Sequence, residues 1–287
     1  MDQSLKNVPI VQCVVAAWGF FTRNLSTVYR LGIPYILASG IGIAIVLFAP
    51  ANSPISALGP LFIFMSWFLY IAMDAALFRL ALGQPAVGFG GLTLGADEFR
   101  LFVTNLLIGL IAFIVVIVAA VIVFLAISTI LLIGVDPELA KENPNLVFEQ
   151  AGVKFWILQG LGVLIIGVIL LYLYARFSPA FPAAIGEQAI RIFEAAAWTK
   201  GQGWRISLVL ITSVLPIYVI MAPSLFVVAE QMMVIMRIAI ADPQATPSAE
   251  MYHIDFHWRL LPILLTPALS SIRAGLFSTL YRGLRPA

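Results

Sequence analysis

LFVTNLLIGLIAFIVVIVAAVIVFLAISTILLI, residues 101–133, contains no Asp, Glu, Lys, Arg or His. A bilayer has a hydrocarbon core about 30 Å thick, which about 20 apolar helical residues can cross. At 1.5 Å per residue this run extends about 50 Å, so it must tilt or project beyond the core. No water-facing globule can bury such a run. The rest of the chain agrees: of 287 residues, 62% are hydrophobic and 10% charged, where soluble domains carry about 25% charged residues. The bilayer is the solvent that this composition requires.

Working outward from that run, five further apolar stretches have spanning length: 31–49, 57–80, 154–175, 206–228 and 259–281. With 101–133 they make six expected spans of one polytopic membrane domain over residues 1–287. Pro50 and Pro54 break the chain between the first two spans. Residues 10–23 are apolar but too short to span. Their hydrophobic residues recur at helical spacing, which predicts an amphipathic helix lying on the inner leaflet or packed on the bundle. A second amphipathic helix is expected at 182–198, with Ile185, Ala189, Ile192, Phe193 and Ala196 on its apolar side. No cleaved signal peptide is read at the N-terminus, and the first span is expected to act as the insertion signal. The expected fold is an all-α integral membrane protein of six transmembrane helices with amphipathic inner-face helices.

Charge orients it. Lys6, Arg23, Arg30, Arg79, Arg100, Arg176, Arg191, Lys200, Arg205, Arg273, Arg282 and Arg285 fall at one end of the expected spans, and Lys141, Lys154, Arg237 and Arg259 at the other. The positive-inside rule then places both termini in the cytoplasm. The net charge of +2 is small and scattered, with no extended basic face for nucleic acid. The single cysteine, Cys13, excludes an internal disulfide and a zinc-thiolate cluster.

Ionisable residues inside the spans are the candidates for chemistry. Asp74 lies near the inner end of the second span: a substrate or proton site, or a structural partner for an inner-face cation. Arg273 lies inside the inner end of the sixth span, within snorkelling reach of a lipid phosphate, with Asp74 as the other available partner. Arg79 closes the second span. Trp198 and Trp204 suit headgroup-level anchors, with Lys200 and Arg205 directed to anionic lipid. His253, Asp255 and His257 form the only histidine-bearing cluster, a weak metal candidate with no evident fourth ligand, which also suits a pH-sensitive contact or an ordinary polar membrane border. Pro216, Pro223, Pro262 and Pro267 interrupt the last two spans, as in broken transporter helices or in ordinary kinked packing. Gly160, Gly162 and Gly167 suggest close helix packing in the fourth span. The glycine-rich segment before Asp97 and Glu98 matches neither phosphate-loop pattern, and those two acids read as first-turn residues of a helix.

Several short stretches together carry a resemblance. These are AALFRLAL with Arg79, LGADEFRL (Leu94 to Leu101), RFSPAFP (Arg176 to Pro182), RIFEAAAWTKGQGWRI with Trp198, Thr199, Lys200, Gly201 and Trp204, and the closing LYRGLR (Leu280 to Arg285). The chain resembles a bacterial family of six-span inner-membrane proteins, like the membrane domain of glycerophosphoryl diester phosphodiesterase and the YciC-like proteins. The resemblance implies a fold and a topology in the bacterial inner membrane. It implies no enzymatic activity, because the catalytic phosphodiesterase barrel is absent. The expected function is a non-catalytic accessory, scaffold or envelope-homeostasis protein without cofactor, acting through membrane lipids and a membrane-protein partner. The alternative is a transporter or flippase for a lipid-like or apolar solute.

Overall fold

The computed structural model describes residues 8–50, 53–132, 144–241 and 256–286. Its helices are α1 (Ile10–Arg23), α2 (Leu25–Phe48), α3 (Leu58–Leu82), α4 (Ala96–Leu132), α5 (Pro144–Phe177), α6 (Ala180–Gly186), α7 (Ile192–Trp198), α8 (Gly203–Ala241) and α9 (Phe256–Leu284), with a short 3₁₀ turn at Pro54–Ala57 before α3. Six of them, α2, α3, α4, α5, α8 and α9, are long and apolar enough to cross a membrane. The protein is an all-α, multi-pass membrane protein. Successive spans run antiparallel. The start of α2, the end of α3, the start of α4, the end of α5, the start of α8 and the end of α9 therefore share one end, where most of the arginines lie; it is called the basic end below.

The core sits in the half of the bundle nearest that end. In α3, Ala72 to Arg79 are buried without a break, while Leu61, Phe64, Trp67 and Phe68 nearer the other end are exposed. A helix segment covered on every side must be surrounded by other elements. Here α2, α9 and α6 do the covering, and the alanines at 72, 75, 76 and 81 let them approach closely. The last turns of α9 answer with Ile272, Ala274, Leu276, Phe277 and Leu280, all buried. By contrast, the most apolar window of α4 buries none of its residues and that of α5 only 6%. Away from the basic end these two helices pack on each other, with α5 also against α8, and most of their remaining surface there is exposed.

Close packing depends on particular small residues. A Cβ placed on Gly32 of α2 would meet Pro267 Cγ of α9 at 2.5 Å. The proline that interrupts α9 is thus seated against a glycine. In α5 only Gly162 has the packing role expected of it: a Cβ there would meet Val123 Cγ1 of α4 at 2.6 Å, whereas Gly160 and Gly167 have nothing within 4 Å.

The amphipathic helix expected at 10–23 forms with those bounds. It packs on the bundle through Cys13 and Ala17, both buried, and Trp18 Nε1 donates to the Ser213 carbonyl of α8 at 3.1 Å. Its other side, with Val11 and Val15, is exposed. Past Phe226, α8 continues without a break to Ala241. The helix expected at 182–198 does not form as one element. Residues 180–186 make α6, buried from Ala180 to Ile185, and the chain turns through Gln188 at φ 54° before α7 begins. The reason is tertiary. Small residues let α6 sink into the core on all sides, and Glu187, just past its end, is held by Tyr281 Oη at 2.7 Å and by Arg191 Nε at 2.5 Å.

Two expectations test this packing. Gly32→Ala should lower thermal stability in detergent, by about 1–3 kcal/mol for the forced displacement of Pro267. Gly160→Ala should stay within about 0.5 kcal/mol of the parent, as open surface sites do. Burial pushes the Cys13 thiol above its ordinary value, which leaves less thiolate at neutral pH. N-ethylmaleimide should therefore label the folded protein at least about tenfold more slowly than the protein unfolded in detergent, as followed by mass shift.

Candidate functional site

Asp74 and Arg273 find each other. Arg273 Nη2 of α9 forms an ion pair with Asp74 Oδ1 of α3, with the acid 1% exposed and the arginine side chain 14%. Of the two partners expected for Arg273, the structure supplies the carboxylate. The rest of the guanidinium is held by aromatic groups. Its Nη1 donates to Tyr174 Oη of α5 at 3.2 Å, and its carbon lies 5.7 Å from the centroid of the Phe181 ring in α6. Phe181 is stacked between Phe78 and Phe277, with Tyr174 against both Phe181 and Phe277. Four helices, α3, α5, α6 and α9, thus converge on one charge pair. A cation over an aromatic face gains most when desolvated, as here.

A cavity lies beside the acid side of the pair, whose two carboxylate oxygens are themselves shielded. Asp74 lines a space of about 650 Å³ between α2, α3, α4 and α9. The lining is mixed. Tyr35, Ser39, Ser66, Tyr70, Asn105 and Thr266 bring polar groups, and Ile43, Ile63, Trp67, Phe102 and Ile263 are among the apolar ones. Tyr35 Oη donates to Thr266 Oγ1 across the cavity at 3.5 Å, and Thr266 Oγ1 donates to the Pro262 carbonyl one turn back on its own helix at 2.8 Å. No hydroxyl or backbone N–H of the described residues donates to either Asp74 oxygen. Buried carboxylate oxygens normally have such donors, so Oδ2 is an acceptor with capacity to spare beside a cavity of ligand size.

The other sequence candidates have different surroundings. Arg79 is buried, with its Nε and Nη2 engaged and its Nη1 without a partner among the described residues. Its Nη2 reaches Glu98 Oε1 at 2.5 Å and Asp97 Oδ2 at 3.2 Å, and Glu98 Oε2 accepts from the Gly95 N–H at 2.8 Å. That is half of a capping box: the acid at the third position of α4 returns to its N-cap. Arg79 clamps the end of α3 to the start of α4. Trp198 is half-buried, its ring centroid 6.1 Å from that of Tyr281, and Trp204 is exposed with its ring against Tyr172. Lys200 and Arg205 are exposed beside it at the basic end. His253 and Asp255 lie outside the described residues. His257 falls in the first turn of α9, and among the described residues no group of three or more metal-ligating side chains occurs.

Two clusters escaped the sequence reading. Arg176 Nη2 donates to the Ala196 carbonyl at 2.5 Å, and Thr199 Oγ1 returns a bond to the Arg176 carbonyl at 2.9 Å. RFSPAFP and the AWT segment are thereby locked together. Glu187 gathers Tyr281, Arg191 and Arg285. Arginines at span ends are ordinary membrane anchors by sequence, so neither cluster had a signal that set it apart.

Comparison of the chain with protein-family models, curated proteins and solved structures finds no match. The site's own chemistry therefore carries the reading. Removing one member of a buried pair leaves an uncompensated charge, at a cost of about 3–5 kcal/mol, whereas replacing both with apolar residues can be nearly neutral. Asp74→Asn and Arg273→Met should each lower the thermal midpoint in detergent sharply. The double variant should recover most of the loss, and additive losses would show that the two side chains are not coupled.

Proposed function

We propose that this chain is a non-catalytic, lipid-handling protein of the bacterial inner membrane with both termini in the cytoplasm. A lipid-like molecule enters the cavity from the surrounding leaflet and is held at its polar end by Asp74. The observation that carries this reading is the Asp74 carboxylate: buried, lacking a hydroxyl or backbone donor, and lining a cavity of about 650 Å³. Hydroxyl and amide groups at Tyr35, Ser39, Ser66 and Asn105 supply further hydrogen bonding, and the apolar lining receives a chain. The basic residues at the ends of α3, α5 and α9 support the cytoplasmic placement. The resemblance to the six-span bacterial family supports the inner membrane. The exposed surface of α4 and α5 is where a membrane-protein partner would find an accessory subunit of this kind.

One observation favours transport as the second reading. α9 carries Pro262 and Pro267 on either side of Thr266, which lines the cavity, and Arg273 two turns further on. Proline weakens the helix where it occurs, so a bend of α9 at this point would move the ion pair and the cavity wall together.

Native mass spectrometry of the protein released from lipid nanodiscs tests the proposal. A lipid-like molecule should co-purify with the wild type. Asn105→Trp, which fills the cavity from an exposed position on α4 without touching the ion pair, should reduce its retention about tenfold, a change of about 1.4 kcal/mol in binding. The thermal midpoint should be unchanged. Retention unaffected by Asn105→Trp would remove the cavity from the function. Movement of a labelled lipid between leaflets in vesicles, lost in the same variant, would select the transport reading.

A further inference from the structure

A second groove lies between α1 and the last turns of α9, on the basic end, with a volume of about 570 Å³. It shares no lining residue with the Asp74 cavity. Val11, Val15, Gly19 and Arg23 are spaced four apart, so they form one stripe along α1. Val11 is 74% and Val15 64% exposed. Gly19 adds no side chain, and a Cβ there would meet nothing within 4 Å. The stripe is therefore an apolar trough with an open floor at Gly19 and a guanidinium at its end.

The opposite wall brings a second guanidinium. Arg282 of α9 donates from Nε to the Ser278 carbonyl at 3.3 Å and from Nη2 to the Ala81 carbonyl at 3.1 Å. Both acceptors are neutral. They hold the side chain in place, and among the described residues no carboxylate pairs with it. Arg23 forms no ion pair among the described residues, and no Asp or Glu lines the groove. Several arginines of this protein differ: Arg79, Arg100, Arg191, Arg273 and Arg285 each have a carboxylate partner.

We propose that this groove binds one anionic phospholipid of the surrounding leaflet, with an acyl chain along Val11, Val15 and Gly19 and the phosphate between Arg23 and Arg282. Charge complementarity selects an acidic lipid over a zwitterionic one: two cations line the groove and, among the described residues, no anion lines it. Arginine also matches phosphate geometry through paired N–H donors. The apolar trough selects a lipid over a free phosphate ion, which would leave Val11 and Val15 uncovered. α1 is thereby a lipid-clasping element, held to the bundle on its Cys13 and Ala17 side and to the leaflet on the other. The site is independent of the proposed lipid handling at Asp74.

The test uses the full chain in nanodiscs of phosphatidylcholine containing a minor share of phosphatidylglycerol, with bound lipid counted by native mass spectrometry. The wild type should retain one phosphatidylglycerol per chain, enriched about tenfold over its share in the disc, as a charge-assisted site of two arginines would give. Arg23→Gln with Arg282→Gln should abolish the enrichment. Gly19→Leu, which fills the trough and leaves both guanidiniums in place, should abolish it too while keeping the wild-type thermal midpoint. Asn105→Trp should leave it unchanged, which separates this site from the Asp74 cavity. No enrichment in the wild type, or enrichment that survives Gly19→Leu, would overturn the proposal. Displacement of the lipid from the wild type by inorganic phosphate would also overturn it, because the groove would then select a free anion.

Discussion

An arginine and an aspartate buried at membrane depth have one stable arrangement, which is together. Either charge alone in hydrocarbon costs several kcal/mol. The ion pair of Asp74 and Arg273 therefore ties α3 to α9 at a fixed height. The remaining donors of Arg273 and the faces around it set where α5 and α6 can sit. Tyr174 must reach the guanidinium and Phe181 must lie beneath it. Phe181 is held between Phe78 and Phe277, so the same constraint packs the aromatic centre of the core. One charge pair thus places four elements.

The surrounding structure divides according to what each helix faces. Toward the basic end, alanine, glycine and serine predominate at the contacts, and helices approach until a glycine meets a proline ring, as Gly32 meets Pro267. Away from it, α4 and α5 touch each other at Gly162 and Val123 and otherwise present branched aliphatic and aromatic side chains outward. In lipid those side chains cost nothing by being exposed, so no packing is needed to hide them. Order at the basic end comes instead from charge: Arg79 on Asp97 and Glu98, Arg176 on the carbonyls of α7, and Glu187 with Arg191, Arg285 and Tyr281. Within the bundle core the spans are held by shape and by the Asp74–Arg273 pair. The connections between them are held by hydrogen bonds to arginine.

The candidate site was legible in part. Asp74 and Arg273 stood out because an ionised group within a span is rare enough to notice. Their pairing was one of two partners open to Arg273, since spacing within α9 places it near the basic end but does not orient its guanidinium. Phe181, Tyr174 and the cavity beside Asp74 were not legible. Phe181 lies in RFSPAFP, which reads as a loop entering an amphipathic helix, and the polar groups of the cavity come from α2, α3, α4 and α9. Serines, an asparagine and tyrosines scattered over four helices have no common spacing in the chain. Arg79 looked like an interfacial anchor, and only the return of α4 past the end of α3 turned it into a clamp for two acids.

What the sequence by itself determined was the solvent and the number of crossings. The run from 101 to 133 carries no charge, and hydropathy is a local sum, so each span could be located, although α5 begins at Pro144 rather than 154 and α8 runs to Ala241 rather than 228. The breadth of α1, too, followed from periodicity alone. What only the tertiary structure decided was which faces meet. The stretch 182–198 shows why. Its hydrophobic spacing fits a surface helix, yet α6 is buried on all sides and the chain turns at Gln188. Whether a run of small apolar residues lies on a membrane surface or sinks into a core depends on the space that α3, α4 and α9 leave for it. That space is a property of distant residues packed together, which no local pattern contains.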